Sequence, residues 1–513
     1  MPLRVVSAST ALAALFFALA GASDGAAQSR LVDSPTGLRG ALSGPGEDGA
    51  VETTGAIAGA AGGKARARKP NPARLQTPAK PLLAPLTAYR TAPNARARPG
   101  SGLRPGEGVP APNLAVLPYP AARRIALEES PYAPLGVRVG NIELRPSIDL
   151  DGGYNDNPNG AARGAKASGF MRPGAALDAR SDWTAHEFKA NLRGGYTRFF
   201  DAPDANRPEF QGTASLRLDA TADTSVKFDA KASIDSQRPG SPEITSLGTH
   251  GAKLDGRPLI YSAGLGAGVT QKFGRLETTL RGSLERTEHQ DGSLSDGSKL
   301  TLSHQDYTTY GVSARVGYEV TPGLKPFVEA SLDQRRHDRA IDDNGYRRDS
   351  RGVTGRLGSS VEITRTLTGE ISAGYSQRRY EDARLKDLRG PLFEASLVWS
   401  ASPLTTVTLK GSTSFDETTV AGASGSINRR ASVNVSHALL RNLTLTADAS
   451  ISERDYRGDP LKERTLRLGL GAEYALTRSV VVRGSFTHDR LRSTAPNSDY
   501  TANVFLLGLR LQR

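Results

Sequence analysis

The chain has 513 residues, a formal net charge of +13, 55 Gly, two Met and no Cys. Without a thiol there is no disulfide, thiolate metal site, cysteine nucleophile or lipoprotein anchor, and such a composition suits a protein that crosses an oxidising periplasm. The length allows two or three ordinary domains or one large one.

The first 27 residues place Arg4 ahead of an apolar run from Val5 to Ala20. Small residues follow at Ala20-Gly21-Ala22 and Gly25-Ala26-Ala27. This pattern predicts a cleaved secretory signal peptide over 1–27 rather than a membrane helix. No later stretch approaches the roughly 18 apolar residues a membrane helix needs, so any membrane crossing must be made another way.

Residues 28–135 are rich in Pro, Ala, Gly and Arg and lack apolar periodicity. Such a segment cannot bury enough surface to offset chain entropy, and it is expected to be a disordered basic tail in the periplasm. Its run Lys64, Arg66, Arg68, Lys69 and Arg74 reads as a solvated linker or as an attachment to a polyanion, acidic polysaccharide or lipid headgroups. The "AGGKA" within it is not a phosphate loop: Ala58 stands where the first Gly is needed and Ala65 where Ser or Thr is.

From 136 to 513 the text alternates. In "TLRLGLGAEYALT", Leu466, Leu468, Leu470, Ala472 and Tyr474 alternate with Arg467, Gly469, Gly471 and Glu473; "SVKFDAKASID" and "NLTLTADASIS" behave alike. A period of two sustained for about ten residues means strands. About 18 are expected, 16 being the other possible count, centred near 149, 174, 192, 215, 231, 267, 281, 314, 330, 357, 373, 396, 411, 433, 449, 470, 485 and 507. Short turns such as "TADTS", "KFGR" and "LTRS" follow even strands, and longer polar loops mostly follow odd ones. That asymmetry, with one moderately apolar face and one heavily charged face, predicts an antiparallel up-and-down transmembrane β-barrel. A soluble sandwich would alternate too, but its wet face need not carry so dense a mixture of Arg, Lys, Asp and Glu. Aromatic residues near strand ends, among them Phe199, Phe200, Tyr318, Tyr375, Trp399 and Tyr474, suit a membrane interface.

The acid-rich "DLDGGYNDNPNG" from Asp149 to Gly160 fails as a calcium loop, because Gly153, Tyr154 and Gly160 occupy places 5, 6 and 12. It reads instead as the end of the first strand. The last strand, "NVFLLGLRLQR", presents Phe505, Leu507, Leu509 and Leu511 on one face, with Gln512-Arg513 trailing where a terminal aromatic is usual. Tyr154, Asn155, Asp156 and Asn157, together with Leu506 to Arg513, resemble the opening and closing strands of the β-barrel porin-2 family of bacterial outer-membrane proteins. The resemblance implies an outer-membrane barrel, sometimes encoded with exopolysaccharide machinery.

Seven His are present, none at the i, i+4 spacing of a helical metalloprotease site. His437 and His488 lie on the apolar parity without a serine partner in view, and the inner carboxylates read as ion-pair partners rather than as a glycosidase pair. No catalytic residue, metal or cofactor is expected, and no nucleic acid partner; the protein is expected not to be an enzyme. Expected pore-lining residues are Arg193, Arg217, Arg281, Arg315, Arg356, Arg467 and Arg483 with Glu277, Glu319, Glu362 and Glu473. Expected partners are outer-membrane lipid and lipopolysaccharide, the outer-membrane assembly machinery and acidic polysaccharide. The expected function is a porin or channel for polar solutes or saccharides; a non-conducting anchor or adhesin is the alternative.

Overall fold

The computed structural model describes residues 131–237, 241–242 and 254–513; the expected signal peptide and nearly all of the basic tail lie outside the described residues. The main sheet has 19 strands, one of them the three-residue Val137–Val139 that folds back on the first long strand. The remaining eighteen are β1 (Ile142–Asn155), β2 (Ser168–Ser181), β3 (Glu187–Phe199), β4 (Arg207–Asp219), β5 (Thr224–Ser236) and β6 (Leu259–Phe273). They continue as β7 (Leu276–His289), β8 (Tyr307–Tyr318), β9 (Leu324–His337), β10 (Ser350–Thr364), β11 (Leu367–Tyr380) and β12 (Leu388–Ser402). The last are β13 (Thr405–Asp416), β14 (Gly425–Leu440), β15 (Leu443–Arg457), β16 (Lys462–Ala475), β17 (Val480–Ser493) and β18 (Tyr500–Gln512). Each expected centre falls inside its strand.

Every neighbour pairs antiparallel, and the ring closes where β1 meets β18, from Ser147 opposite Gln512 to Asn155 opposite Val504. Closure matters because hydrocarbon offers no hydrogen-bonding partner to a free sheet edge. The outer face is apolar and uncovered: Leu357 is 64% and Leu507 67% exposed. A soluble monomer seldom leaves so extensive an apolar surface bare, whereas a bilayer covers it.

The turns after even strands are short, and hydroxyl side chains build several of them. Thr221 Oγ1 accepts from the Thr224 amide at 2.9 Å, Thr364 Oγ1 from Leu367 at 3.1 Å and Thr477 Oγ1 from Val480 at 3.1 Å. Each hydroxyl supplies a local partner where the ladder ends, the usual role of Ser and Thr in turns. The loops after odd strands, such as 156–167, 237–258, 290–306 and 338–349, are longer. Two of them share a small three-stranded sheet of Leu254–Asp255, Gly292–Leu294 and Lys299–Leu300, over buried Leu294, Leu300 and Leu302.

One aromatic departs from the expected interface role. Phe200 faces outward, but Phe199 is 3% exposed and packs on Phe170 inside the ring, with Ala202, Ala205 and Leu506. Adjacent strand residues point to opposite faces, so the two could not both meet lipid.

Gly508 stands on β18 between Asp151 of β1 and Arg483 of β17. A Cβ there would lie 1.9 Å from Asp151 Oδ1, the oxygen that accepts from Arg483 Nη2 at 2.5 Å. Gly508→Ala should therefore separate that buried pair and lower the urea midpoint of the refolded barrel, with a loss of about 3–5 kcal/mol if the pair breaks outright. An unchanged midpoint with the heat-shifted gel band intact would show that the seam does not depend on this glycine.

Candidate functional site in the barrel lumen

The inward positions of the strands carry a belt of paired charges. On one wall Lys231 meets Glu285 at 2.7 Å, Arg281 meets Asp229 at 2.7 Å and Lys325 meets Glu277 at 2.6 Å. Next to it Arg315 forks onto Glu370 at 3.0 and 2.7 Å, from β8 to β11, while its guanidinium carbon sits 3.3 Å from the centroid of Phe327. Arg356 reaches Glu394 at 3.2 Å, and Glu329 lies between Arg315 and Arg356 at 3.7 and 3.8 Å. Forked guanidinium–carboxylate contacts fix both partners in one plane, so these side chains form a stiff lining.

The third stretch crosses the closing seam. Arg467 forks onto Asp489 at 2.8 and 2.9 Å, and Arg510 onto Asp149 at 2.8 and 3.1 Å. Arg483 reaches Asp149 at 3.2 Å and Asp151 at 2.5 Å; Arg172 then meets Asp151 at 2.8 Å and Glu209 at 3.5 Å. Against this wall lies a cavity of about 230 Å³, lined among others by Arg172, Arg193, Arg207, Arg257, Arg467, Arg483 and Arg510 and by Asp149, Asp151, Glu209, Asp235 and Asp489. Seven cationic groups face five carboxylates there.

Of the residues expected from sequence, Arg281, Arg315, Arg356, Arg467, Arg483 and Glu277 belong to this belt, and Glu473 lies 4.0 Å from Arg510. Arg193 lines the cavity. Arg217 pairs with Asp219 at 3.1 Å and Glu187 at 3.7 Å, toward the short-turn end. Glu319 and Glu362 are not brought into it: the first is exposed just past β8, the second exposed near the end of β10, where the register shifts. Arg172, Arg207 and Arg257 were not expected. Arg172 shares its parity with Gly174 and Ala176 and was legible in principle; Arg207 begins a strand and Arg257 ends a loop, where alternation gives no signal.

At the long-loop mouth a clamp joins two loops. Arg348 is fully buried, bonds Asp342 at 2.5 Å, and donates to the carbonyls of Thr418, Ala423 and Val420 at 2.7, 2.8 and 3.1 Å. Arg335 of β9 holds Glu417 of the same 417–424 segment. The histidines weighed as catalytic have plain partners: His437 Nδ1 lies 2.9 Å from Thr405 Oγ1, and His488 Nδ1 lies 2.8 Å from Asn503 Oδ1. No cluster of His, Asp or Glu suited to a metal ion occurs among the described residues.

A closed antiparallel ring, apolar outside and lined by fixed charges inside, defines a transmembrane barrel of porin type. The chain belongs to the family described as Putative beta-barrel porin 2, whose model matches residues 130–513. That family places the protein in the outer membrane as a porin-like barrel. No curated protein matches the chain. Among solved structures, OccK2 (OpdF) of Pseudomonas aeruginosa is 14% identical, with 72% of this chain and 98% of that one covered and a TM-score of 0.37. A BenF-like porin from Pseudomonas fluorescens Pf-5 is 12% identical, covering 73% and 99% with a TM-score of 0.38. The siderophore receptor PirA from Acinetobacter baumannii is 7% identical, covering 74% and 81% with a TM-score of 0.37. Membership rests on the family match.

Two loop carboxylates tie the mouth together. The Arg286 guanidinium, 2.5 Å from both oxygens of Asp338, holds that carboxyl below the usual range. Asp382 is held far below it by the Arg384 side chain and by the amides of Arg347 and Arg384. A depressed carboxyl contributes stability that is complete above its unfolded value of 3.8 and is lost as pH falls through the folded value. Pulsed hydrogen exchange should thus find loops 338–349 and 381–387 equally protected at pH 8 and pH 5, and progressively released below about pH 4. Release already between pH 8 and pH 5 would assign the loops' order to other groups.

Proposed function

We propose that the barrel is a passive diffusion channel for polar solutes, saccharides among them. The observation that carries this reading is the inner face of a closed eighteen-strand ring. Strand number at this size leaves more interior than wall side chains alone fill, and the side chains that line it are charged rather than apolar. Mixed signs, most of them paired with a neighbour, wet the passage without building one strong field along it. Arg193, Arg281, Arg315, Arg356, Arg467 and Arg483, with Glu277 and Glu473, are the residues proposed to meet the solute. A role beside exopolysaccharide export is the narrower form of the same reading, supported by the basic tail at 28–135, suited to an acidic polysaccharide. Lipid and lipopolysaccharide would surround the apolar face, and the assembly machinery would read β18.

The full chain, refolded and inserted in a planar bilayer, should give steady, voltage-stable conductance with little preference between K⁺ and Cl⁻. Arg348→Ala, which releases the 417–424 segment from the mouth, should raise single-channel conductance and expose that segment to protease. Insertion without conductance would leave a surface anchor in place of the channel.

A further inference from the structure

Arg207 differs from the other arginines of the seam wall. It opens β4 at the long-loop end, half-buried within the ring. Its guanidinium donates one hydrogen bond, Nη1 to Ala205 O at 3.3 Å, and its Cζ lies 5.6 Å from the centroid of Phe199. Among the described residues no carboxylate lies within ion-pair distance of it. Arg172, Arg467 and Arg483, by contrast, each hold one or two.

The surroundings of Arg207 favour a negative guest. Glu209 and Asp235 act on it electrostatically, but so do Arg172 and Arg467, and Glu209 is drawn toward Arg172. A guanidinium carries five N–H donors in a rigid fork that matches a carboxylate, and most of this fork is unused. The cavity beside it, about 230 Å³, is lined by Phe199 and Tyr500 and by the polar residues Gln211 and Thr487. Sites for drug-sized ligands measure roughly 300–1,000 Å³, so this one suits a single small ring rather than a polymer segment.

We propose that this cavity is a selectivity site for a carboxylate-bearing solute of monosaccharide size, its carboxylate received by the fork of Arg207 and its ring set against Phe199 and Tyr500. The proposal rests on the channel reading for its use, although not for its binding. Arg207 is the anchor, and Arg172 and Arg467 supply positive charge while their own carboxylates keep them in place.

The test uses the full chain in two measurements. Calorimetry on the detergent-solubilised barrel reads binding without any need for conductance, and bilayer recording reads block. Galacturonate should bind and lower the conductance, while galactose, its uncharged counterpart, should do neither. Arg207→Gln should weaken galacturonate about tenfold or more, the usual loss of one charge-assisted contact, and Arg207→Lys should keep part of the affinity. The heat-shifted gel band shows that each variant has folded. Equal binding of galactose, inorganic phosphate binding as tightly as galacturonate, or an Arg207→Gln variant that binds unchanged would each overturn the assignment. Binding without conductance would overturn the channel reading and leave the site standing. Conductance without binding would do the reverse.

Discussion

The structure depends on the joint between its two ends. A barrel spans a membrane only if its first and last strands satisfy one another's backbone, because hydrocarbon supplies no alternative partner. Here the ladder between β1 and β18 is supplemented at both faces of the problem. Inside, Asp149 and Asp151 of β1 are gripped by Arg510 of β18 and by Arg483 of β17, one strand further round. At the long-loop end, Asp156 accepts from the Asn503 backbone and side-chain amides at 2.7 Å each, and Asn157 donates to Thr501 O at 3.0 Å. The Tyr-Asn-Asp-Asn cluster is thus a clasp across the seam, and Asp149, Asp151 and Asp156 all have partners that a calcium ion would have to displace.

The same joint explains why the lumen is built of charges in both signs. An unpaired guanidinium half-buried in protein is expensive, whereas an Arg and an Asp that satisfy each other's hydrogen bonds are tolerable and stiff. Repeating that solution around the ring keeps the inner wall polar enough for water while fixing the positions of long side chains that would otherwise sweep the passage. The belt is not a device for net stability, since apolar replacements of similar volume often match buried ion pairs. Its consequence is a lining with defined shape.

Most of the wall was legible in the sequence because alternation is a local property. A strand such as β18 displays Phe505, Leu507, Leu509 and Leu511 to lipid and Leu506, Gly508 and Arg510 inward, and both sets can be read off one line of text. The count of eighteen followed from the same signal, aided by the unequal connectors. Partnerships were less visible. Arg315 reaches Glu370 three strands away, a contact set by strand tilt and stagger rather than by spacing. Glu319 and Glu362 have the expected parity but sit too near the turns to join the belt. Phe199 was read by its position near a strand end, and the pleat turned it inward.

Apart from Arg172, the arginines that alternation did not disclose lie where the alternation stops. Arg207, Arg257 and the clamp residue Arg348 occupy strand ends and loops, where neighbours in space come from segments far apart in sequence: Arg348 meets carbonyls at 418–423, and Arg257 donates to Pro158 O at 2.6 Å. A period-two wall can only repeat itself, so specificity in such a barrel has to come from places where the repeat is broken. In this chain those places gather at the long-loop end, beside the seam. There the inward apolar packing of Phe170, Phe199 and Leu506 leaves Arg207 over the Phe199 ring instead of a carboxylate. In the proposed channel the regular strands would make the passage, and the irregular junctions would set what it prefers.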